Sequence, residues 1–383
     1  MNKILRIITR LNVGGPSKHV SWLSNGLNQR GWKNIIICGK VEENEDDMSD
    51  FFNQFDLQKI EVSSLKRSIS LKDDFKTILK IYKTLKKEKP LIVDTHMSKA
   101  ALVGRVAVKL YNLTHKQKIK TVHTFHGHTF RGYFSPAKEK LFLNIEKFLA
   151  KYATDKIITI SKQQQNEILG IYGVGSKEQH EIINLGIDTS FSDELDKKSF
   201  REDFGIPLEA KVFGIVGRIA EIKNHKLFID SVKEFNTKIK DNIFFVIIGD
   251  GDKDYVNELK KYANGIDNVI FAGNQMDPKY FYGALDFLVL TSKNEGTPVS
   301  ILEAFACRIP VISTAVGGVV DLIGKNERGI IAKEDCKDLA KKYKYALENN
   351  LEDIVTNAKK FVEKNYSIEN LVDKTDKLYR QLI

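Results

Sequence analysis

Short apolar runs that read as β-strands alternate with helix-like segments along almost the whole chain. Apolar residues return at helical spacing between the runs, so neither element type occupies a block of its own. Such alternation indicates an α/β fold in which parallel sheets are covered by helices on both faces. The strand-like runs, in chain order, are ILRII, NIIIC, LIVDTH, KTVHTFH, KIITIS, VFGIVG, FFVIIG, VIFAG, FLVLTS and PVIST.

Length and a pause in the alternation indicate two domains. A chain of 383 residues is too long for one ordinary hydrophobic core. The pattern pauses at NLGID, residues 184–188, and starts again at Val212. We therefore predict domains at residues 1–186 and 187–365, followed by a last helix at 366–383.

The last helix has a start signal of its own. Ser367 can cap it, and Leu371, Leu378 and Leu382 share its apolar side. A helix this late in the chain need not pack on the sheet that precedes it.

Composition and the N-terminus favour a cytoplasmic protein that is not inserted in a membrane. Apolar residues make up 42% and charged residues 29%, and no apolar run approaches the ~20 residues that span a bilayer. Arg6 and Arg10 interrupt the first apolar run, which therefore reads as a strand and not as a secretory signal. The three cysteines lie far apart, which favours neither a disulfide framework nor a zinc site.

The basic charge is concentrated in the N-terminal half. Residues 1–185 carry 31 Lys and Arg against 18 Asp and Glu, whereas the remainder carries 29 against 32. Residues 63–90 hold many of the lysines among apolar residues at helical spacing: Leu71, Phe75, Ile78, Leu79 and Tyr82. The segment is either a solvated lysine face over a core-facing stripe or a surface attracted to an anionic membrane. No motif for binding nucleic acid is present.

In α/β sheets ligands bind beyond the carboxyl ends of the strands, so the loops after the strands are the places to search. Gly14 and Gly15 follow the first strand and precede a helix, where the backbone can approach an anion. The spacing is not G-x-G-x-x-G, and a plain turn explains these glycines equally well.

Histidines lie at the end of the strand KTVHTFH. His126 can reach a ligand there, donate a hydrogen bond or exchange a proton. His123 and His128 are near enough in sequence to suggest a metal, but no Asp, Glu or Cys nearby completes the ligand set. We favour a hydrogen bond to a ligand, with a structural histidine as the alternative, and expect no metal.

Cations and acids follow the strands of the second half. Arg218 and Lys223 come after VFGIVG and suit a diphosphate, although surface ion pairs would also explain them. The sequence GDGD at 249–252 contains a D-x-D pattern that holds divalent cations in some proteins. It also has the composition of a tight turn, which is the interpretation we favour.

The segment NEGTPVSILEA, residues 294–304, sets a carboxylate before a helix and another inside it. We predict Thr297 as the helix cap and Pro298 as the first helical residue. Glu303 then lies roughly 7.5 Å along the helix axis from its start, and Glu295 stays in the preceding loop. Phosphates at the helix N-terminus with a diol at each carboxylate would fit this order, and a nucleotide sugar has that anatomy.

With these motifs, the chain resembles the retaining glycosyltransferases of family 4. The resemblance covers nearly the whole chain, and its most specific parts are the E-x7-E segment and VHTFHGH. It implies the GT-B fold, which is two Rossmann-like domains facing across a cleft, with the C-terminal helix packing back on the N-terminal domain. The matching stretches are Gly14-Gly15, DTHMSKAALVGR (94–105), VHTFHGHTFRGYF (122–134), NLGID (184–188), Arg218 with Lys223, and Glu295 with Glu303.

The resemblance also implies roles for individual residues. Arg218 and Lys223 would neutralise the donor diphosphate, and Glu303 would bind the ribose. Glu295, with the backbone of Gly296 and Thr297, would hold the donor sugar. Gly14 and Gly15 would line the phosphate and acceptor side, and His126 would contact the transferred sugar, with His128 as a neighbour.

The expected activity is retaining, metal-independent transfer of a hexose or N-acetylhexosamine from a UDP-sugar, with no cofactor beyond this co-substrate. The expected acceptor is a glycan or a polyprenyl-diphosphate-linked glycan of the cell surface, reached at an anionic membrane through the basic N-terminal domain. Two alternatives are a non-catalytic nucleotide-sugar-binding protein and a nicotinamide-dependent oxidoreductase. The family commonly has glycine where this chain has Arg308, and a larger residue where it has Thr297. Because of the second departure, the identity of the transferred sugar cannot be taken over from the family.

Overall fold

A computed structural model describes residues 2–12, 14–42, 47–127, 135–236 and 242–383. The chain divides into two compact units, Met1–Gly186 with Ile368–Ile383 and Ile187–Ser367. Residues 366 and 367 join the second unit because Ile187 donates its backbone N–H to Tyr366 O and pairs with Ser367. The chain therefore returns to the first unit two residues after the point set by the sequence.

The first unit contains a parallel sheet in the order β3-β2-β1-β4-β5-β6-β7. Residues of β1 alternate between its two faces, because Leu5 and Ile7 pack in one apolar cluster whereas Ile4 packs in another. Burial on both faces accounts for the continuous apolar run. The strands are β1 (Asn2–Arg10), β2 (Trp32–Gly39), β3 (Gln58–Glu61), β4 (Ile92–His96), β5 (Lys120–Phe125), β6 (Lys156–Thr159) and β7 (His180–Ile182).

Helices connect these strands. The last of them, α6, continues into a π-helical turn at Asn166–Ile171. The helices are α1 (Gly15–Gln29), α2 (Ser49–Asn53), α3 (Leu71–Glu88), α4 (Ser98–Thr114), α5 (Pro136–Ala153) and α6 (Lys162–Gln165).

The second unit repeats the arrangement with a parallel sheet in the order β10-β9-β8-β11-β12-β13. Its strands are β8 (Lys211–Val216), β9 (Ile243–Ile248), β10 (Val269–Gly273), β11 (Phe287–Leu290), β12 (Val311–Thr314) and β13 (Ile330–Ala332). Its helices are α7 (Ser199–Asp203), α8 (His225–Asn236), α9 (Lys253–Tyr262), α10 (Pro278–Ala284), α11 (Val299–Ala306), α12 (Val319–Ile323), α13 (Cys336–Glu348) and α14 (Glu352–Tyr366). The predicted α/β class with two Rossmann-like sheets is confirmed.

The C-terminal helix α15 (Ile368–Leu382) packs on the first unit, as predicted. Leu371 and Leu378 join Leu23 and Leu27 of α1 in one apolar cluster. A Cβ added at Gly26 would lie 2.3 Å from a methyl of Val372, so only glycine allows α1 and α15 to approach this closely. None of the described helices has the length and apolarity needed to span a bilayer.

The helix α15 also places a polar group inside the first unit. Tyr379 is fully buried, and its hydroxyl donates to Asp94 Oδ2 at 2.7 Å. Burial, opposed in part by Arg6, raises the pKa of Tyr379 well above its ordinary value, so the phenol stays protonated and donates. Asp94 is thereby linked to a helix nearly three hundred residues away in sequence.

Removing that hydroxyl should destabilise the first unit. We expect Tyr379→Phe to lower its free energy of unfolding by roughly 1–3 kcal/mol, because Asp94 stays buried with one donor fewer. Both tryptophans, Trp22 and Trp32, lie in the first unit, so their fluorescence during urea unfolding reports on it alone. Tyr111→Phe is the matched control, because Tyr111 is buried in the same unit and its hydroxyl bonds to none of the described residues. Equal effects of both changes would contradict the expectation.

The interpretation of residues 63–90 as a solvated lysine face over a core-facing stripe is wrong for part of the stripe. Leu71, Phe75 and Leu79 of α3 are 86%, 61% and 42% exposed. The helix instead buries Ile81 and Leu85, with two threonines between apolar positions. Thr77 and Thr84 occupy core positions, so the spacing of the apolar residues alone indicates a side of α3 that is not the buried one.

Candidate active site

The candidate residues of the second unit lie where its strand order reverses, at the carboxyl ends of the neighbouring strands β8 and β11. This is where open α/β sheets bind ligands. Lys223 ends a short 3-10 helix after β8, and Glu295 lies in the loop after β11. Lys293 N donates to Ile222 O at 2.8 Å and joins the two loops.

Lys223 and Glu295 form an ion pair. Lys223 Nζ lies 2.6 Å from Glu295 Oε1, and the Ser292 hydroxyl donates to the same oxygen at 2.6 Å. The Glu295 side chain is 10% exposed and that of Lys223 25%. The sequence assigned the two residues to different parts of the donor, and the structure brings them together.

Arg218 is exposed and forms no hydrogen bond or ion pair with its side chain to any described residue. The backbone just before Arg218 packs closely against Gly249, because a Cβ at Gly249 would lie 2.1 Å from Gly217 O. The exposed guanidinium therefore extends from a closely packed backbone and is available to an anion.

The GDGD sequence forms a turn, as favoured from its composition. Asp252 caps α9 by accepting from the backbone N–H of Asp254 and Tyr255. The Asp250 carboxylate accepts from Gly251 N at 2.8 Å. Both carboxylates thus serve the local backbone.

Two glycines that the sequence analysis did not select support the loop of Glu295. Gly318 N donates to Glu295 O at 3.2 Å, and a Cβ at Gly317 or Gly318 would lie 1.8 Å from the carbonyl oxygen of Glu295 or Gly296. Gly317 also has φ of 50°, which disfavours other residues. This close backbone contact fixes residues 295 and 296 in front of α11.

The predicted capping of α11 is wrong by one residue. Pro298 is the cap, with an extended ψ of 112°, and the helix begins at Val299. The first helical hydrogen bonds are accepted by Pro298 O, which leaves Thr297 outside the helix. Thr297 Oγ1 is consequently buried without a hydrogen-bond partner among the described residues. Buried polar atoms are normally hydrogen-bonded, so this hydroxyl is a candidate contact for a ligand.

Glu303 lies on α11 and is half-buried. The Tyr282 hydroxyl donates to Glu303 Oε2 at 2.8 Å. Burial, reinforced by the Glu303 charge, raises the pKa of Tyr282 well above its ordinary value, so this donor keeps its proton. Tyr282 of α10 thus orients the second carboxylate, a partner that nothing in the local sequence indicated.

Arg308, where the family commonly has glycine, follows α11 in the left-handed conformation with φ of 58°. Its guanidinium pairs with Glu352. The turn therefore keeps the backbone that glycine favours, with an arginine in its place.

In the first unit the strand order reverses between β1 and β4, and the candidates follow β1 and β5, the neighbour of β4. Gly14 caps α1, which begins at Gly15, and Lys18 N donates to Gly14 O at 3.3 Å. His126 directly follows β5. His128 lies outside the described residues.

His126 belongs to a cluster of three histidines that the sequence analysis did not find. His19 of α1, His96 at the end of β4 and His126 each offer a ring nitrogen, and these nitrogens lie within 4.8 Å of one another. Burial, together with the neighbouring histidines, lowers the pKa of His126 well below its ordinary value and that of His19 to about 3. These two rings are therefore neutral at pH 7.

His123 is not part of this cluster. Its Nδ1 lies 2.9 Å from Thr95 O, and burial near Arg105 lowers its pKa to about 4. The sequence did contain a signal for His96. It ends β4, His126 follows the neighbouring strand β5, and the carboxyl ends of parallel strands lie at one edge of the sheet.

Comparisons with known proteins identify the family and the fold. The family model described as Glycosyltransferase Family 4 matches residues 13–191, and the one described as Glycosyl transferases group 1 matches residues 196–368. The chain is 30% identical over 332 residues to the UDP-Gal:alpha-D-GlcNAc-diphosphoundecaprenol alpha-1,3-galactosyltransferase of Escherichia coli, covering 84% of this chain and 83% of the relative. It is 28% identical to the capsular polysaccharide biosynthesis glycosyltransferase CapM of Staphylococcus aureus, covering 86% and 87%.

Solved structures match over the whole chain. A glycosyltransferase from Rickettsia africae superposes with a TM-score of 0.82 at 20% identity, covering 100% of this chain and 98% of the other. Anabaena HepE, solved with UDP and glucose, gives 0.82 at 18% identity and covers 100% of both chains. The chain belongs to glycosyltransferase family 4, and its two parallel sheets form the GT-B fold.

Proposed function

We propose that this glycosyltransferase moves a hexose or N-acetylhexosamine from a UDP-sugar to a glycan or polyprenyl-diphosphate-linked glycan, with retention of configuration. The observation that carries the proposal is the grouping of Lys223, Glu295 and the exposed Arg218 at the carboxyl ends of β8 and β11. The Escherichia coli relative, named for UDP-galactose and a diphosphoundecaprenol acceptor, supports both substrate classes.

The donor diphosphate would lie between the cations and the N-terminus of α11. Arg218 and Lys223 supply positive charge where the leaving phosphate develops negative charge, and the amides at the start of α11 add to it. These groups provide what a divalent cation provides elsewhere, so we propose transfer without a metal or other cofactor.

The two carboxylates would hold the ends of the donor. Glu295, with the backbone of Gly296 and Thr297, would bind the sugar hydroxyls, and Glu303 would bind the ribose diol. Lys223 would exchange its contact with Glu295 in part for the phosphate, which leaves carboxylate oxygens for the sugar. Gly14 and Gly15 would line the phosphate and acceptor side, and His126 of the first unit would contact the transferred sugar.

The reaction would proceed on one face of the sugar. The bond from the anomeric carbon to the phosphate oxygen breaks with its electron pair going to the phosphate, and the acceptor oxygen attacks the same face. The acceptor proton passes to the departing phosphate oxygen. Glu295 then acts on hydroxyls and is not a nucleophile.

Binding of candidate ligands separates the proposal from its alternatives. We expect UDP-sugars to raise the Tm more than GDP- or ADP-sugars. A ligand at a hundredfold excess over its Kd adds about 2.7 kcal/mol to the free energy of unfolding. Protection by a nucleotide sugar without transfer to any acceptor would favour a binding protein. Protection by nicotinamide dinucleotides alone would overturn the proposal.

The orphan hydroxyl of Thr297 gives a second test. We expect Thr297→Val to raise KM for the donor about tenfold, because one hydrogen bond to the ligand is lost. Stability should not fall, since the hydroxyl is buried without a described partner in the free protein. Ser292→Ala is a contrasting variant, because it removes a hydroxyl that contacts Glu295. A stability loss with unchanged KM in Thr297→Val would contradict the assignment.

We further propose that the acceptor is met at an anionic membrane through α3. The exposed apolar side chains Leu71, Phe75 and Leu79 run along the helix, each followed by an exposed lysine, Lys72, Lys76 and Lys80. Apolar insertion beside a lysine row is the pattern of helices that lie on anionic membranes.

Charge changes on α3 test the membrane contact. Replacing Lys72, Lys76 and Lys80 with glutamine should weaken binding to phosphatidylglycerol vesicles about a hundredfold, at ~1 kcal/mol per lysine. Glutamine at Lys337, Lys341 and Lys344, which are exposed on α13, is the control of equal charge. Equal loss in both triple variants would show general attraction and contradict a role for α3.

A further inference from the structure

A line of buried polar contacts leads from Asp94 through His96 to His126. His96 Nε2 lies 3.1 Å from Asp94 Oδ2, an ion-pair distance whose angle is too bent for a hydrogen bond, and both side chains are fully buried. On the other side of the ring, His96 Nδ1 lies 2.9 Å from His126 Nε2. The His96 and His126 rings are stacked with centroids 5.1 Å apart. His96 therefore bridges a carboxylate and the candidate active-site histidine.

Asp94 is held in its ionised form. Arg6 Nη1 donates to Asp94 Oδ2 at 3.0 Å, and the Thr124 hydroxyl donates to Asp94 Oδ1 at 3.2 Å. The Tyr379 hydroxyl is a third donor. Burial alone would raise the pKa of Asp94, but its contacts with His96, Arg6 and Tyr379 outweigh burial and hold that pKa below its usual range.

The charge of Asp94 determines where the ring protons lie. A carboxylate oxygen 3.1 Å from a bare ring nitrogen would place two lone pairs against each other, so His96 carries its proton on Nε2. Arg6 already balances the charge of Asp94, so a second ring proton on His96 would bury an uncompensated positive charge. His96 Nδ1 is then an acceptor, and His126 must donate to it from Nε2. That arrangement leaves a lone pair on His126 Nδ1, which bonds to no described residue.

We propose that Asp94 and His96 are positioning residues that fix His126 as a hydrogen-bond acceptor for a hydroxyl of the transferred sugar. This inference rests on the proposed function for the identity of the ligand. His126 then orients the sugar by accepting a hydrogen bond from a hydroxyl and does not act as a donor to the phosphate.

A metal ion bound by the three histidines is the competing explanation of the cluster. Zinc takes three histidines in some proteins, and His19 Nδ1 is buried without a described partner. However, Asp94 is the one carboxylate that contacts the cluster among the described residues, and Arg6 already balances its charge. A divalent cation would bring two uncompensated positive charges into a buried site. The hydrogen-bonded arrangement avoids this cost.

Nitrogen NMR of the free protein reads the proton positions directly. We expect the two ring nitrogens of His126 to show a proton on Nε2 and a bare Nδ1, in protein labelled with 15N-histidine. The signal is assigned by its loss in His126→Asn, which is practicable with eight histidines in the chain. A proton on Nδ1, or on both nitrogens, at pH 7 overturns the inference. So does one equivalent of zinc that survives dialysis and displaces the His96 contact.

Two variants of His96 separate positioning from packing. His96→Asn places an amide oxygen near the former Nδ1 and can still accept from His126, whereas His96→Gln reaches toward Asp94 and offers no acceptor at that point. We expect the asparagine variant to keep the His126 protonation pattern and kcat/KM within about threefold. The glutamine variant should lose the pattern and about tenfold in kcat/KM. Equal loss of kcat/KM with an unchanged His126 signal in both would overturn the inference.

Donor analogues identify the hydroxyl. In a set of UDP-sugars with one hydroxyl replaced by fluorine, which cannot donate, one analogue should lose about tenfold in kcat/KM with the wild type and little with His96→Gln. An analogue series with equal sensitivity in both proteins overturns the sugar contact. If no donor is turned over at all, the proposed function fails, while the NMR result still decides the protonation of His126.

Discussion

Replacing Lys223 with alanine is expected to lower kcat for sugar transfer by about a hundredfold or more while the protein remains folded. The ammonium group would stabilise charge that develops on the leaving diphosphate, and removal of one such group from an active site typically costs 10²–10³ in kcat. The assay is release of UDP in the presence of a lipid-linked acceptor, with circular dichroism to check folding.

The ion pair with Glu295 sharpens this prediction. Lys223→Ala leaves Glu295 with the Ser292 hydroxyl, so part of any effect could come from the freed carboxylate. Glu295→Ala should also remove most transfer, because the sugar loses its carboxylate. The kcat of the double variant should lie within about tenfold of the kcat of the less active single variant. The reason is that the effects of residues acting as a unit are not additive.

Lys226→Ala is the matched control for Lys223. Lys226 is exposed at the start of α8, three residues later, and pairs with Glu258. Near-normal turnover in both Lys223→Ala and Glu295→Ala would contradict the donor site, as would an equal loss in Lys226→Ala.

Arg218→Ala is expected to have a comparable effect with less disturbance of the free protein. Arg218 is exposed and bonded to none of the described residues, so its removal should leave the Tm unchanged. Loss of a charged, forked contact with the diphosphate should lower kcat/KM by about 10²–10³. Arg218→Lys should recover part of this loss, because it restores the charge without the fork.

Inhibition by UDP gives a second reading of Arg218. We expect Arg218→Ala to raise the inhibition constant of UDP far more than that of uridine, because the lost contact is with phosphate. Equal changes for UDP and uridine would place Arg218 elsewhere than at the diphosphate.

The sequence was sufficient to predict the fold and to select the second-unit candidates, because both leave strong local signals. Buried parallel strands give continuous apolar runs. Arg218, Lys223 and Glu295 follow such runs, and Glu303 lies in the helix after the loop of Glu295. The sequence did not indicate β3, β7 and β13. Three of the four residues of β3 are exposed, so it has no apolar run, and β7 and β13 have three residues each, too few for a pattern.

The partners of these residues were hidden because they come from distant parts of the chain. Tyr282 holds Glu303 from α10, and Tyr379 holds Asp94 from the far end of the sequence. Gly317 and Gly318 are needed only because another loop presses on their backbone. No local pattern encodes such contacts, which follow from the packing of the folded chain.

The face of α3 shows a different limit of periodicity. Apolar spacing alone did not separate a buried stripe from an exposed one, because Thr77 and Thr84 occupy the core side and leave Leu71 and Phe75 outside. The exposed stripe is what makes the membrane proposal worth testing.

The central claim is tested most directly by the anomeric configuration of the product made from a UDP-sugar. Wild-type protein in EDTA, supplied with a UDP-α-sugar and a polyprenyl-diphosphate-linked acceptor, is expected to give an α-linked product, with turnover lost in Lys223→Ala. A β-linked product, turnover that requires an added metal, or undiminished transfer by Lys223→Ala would contradict the account.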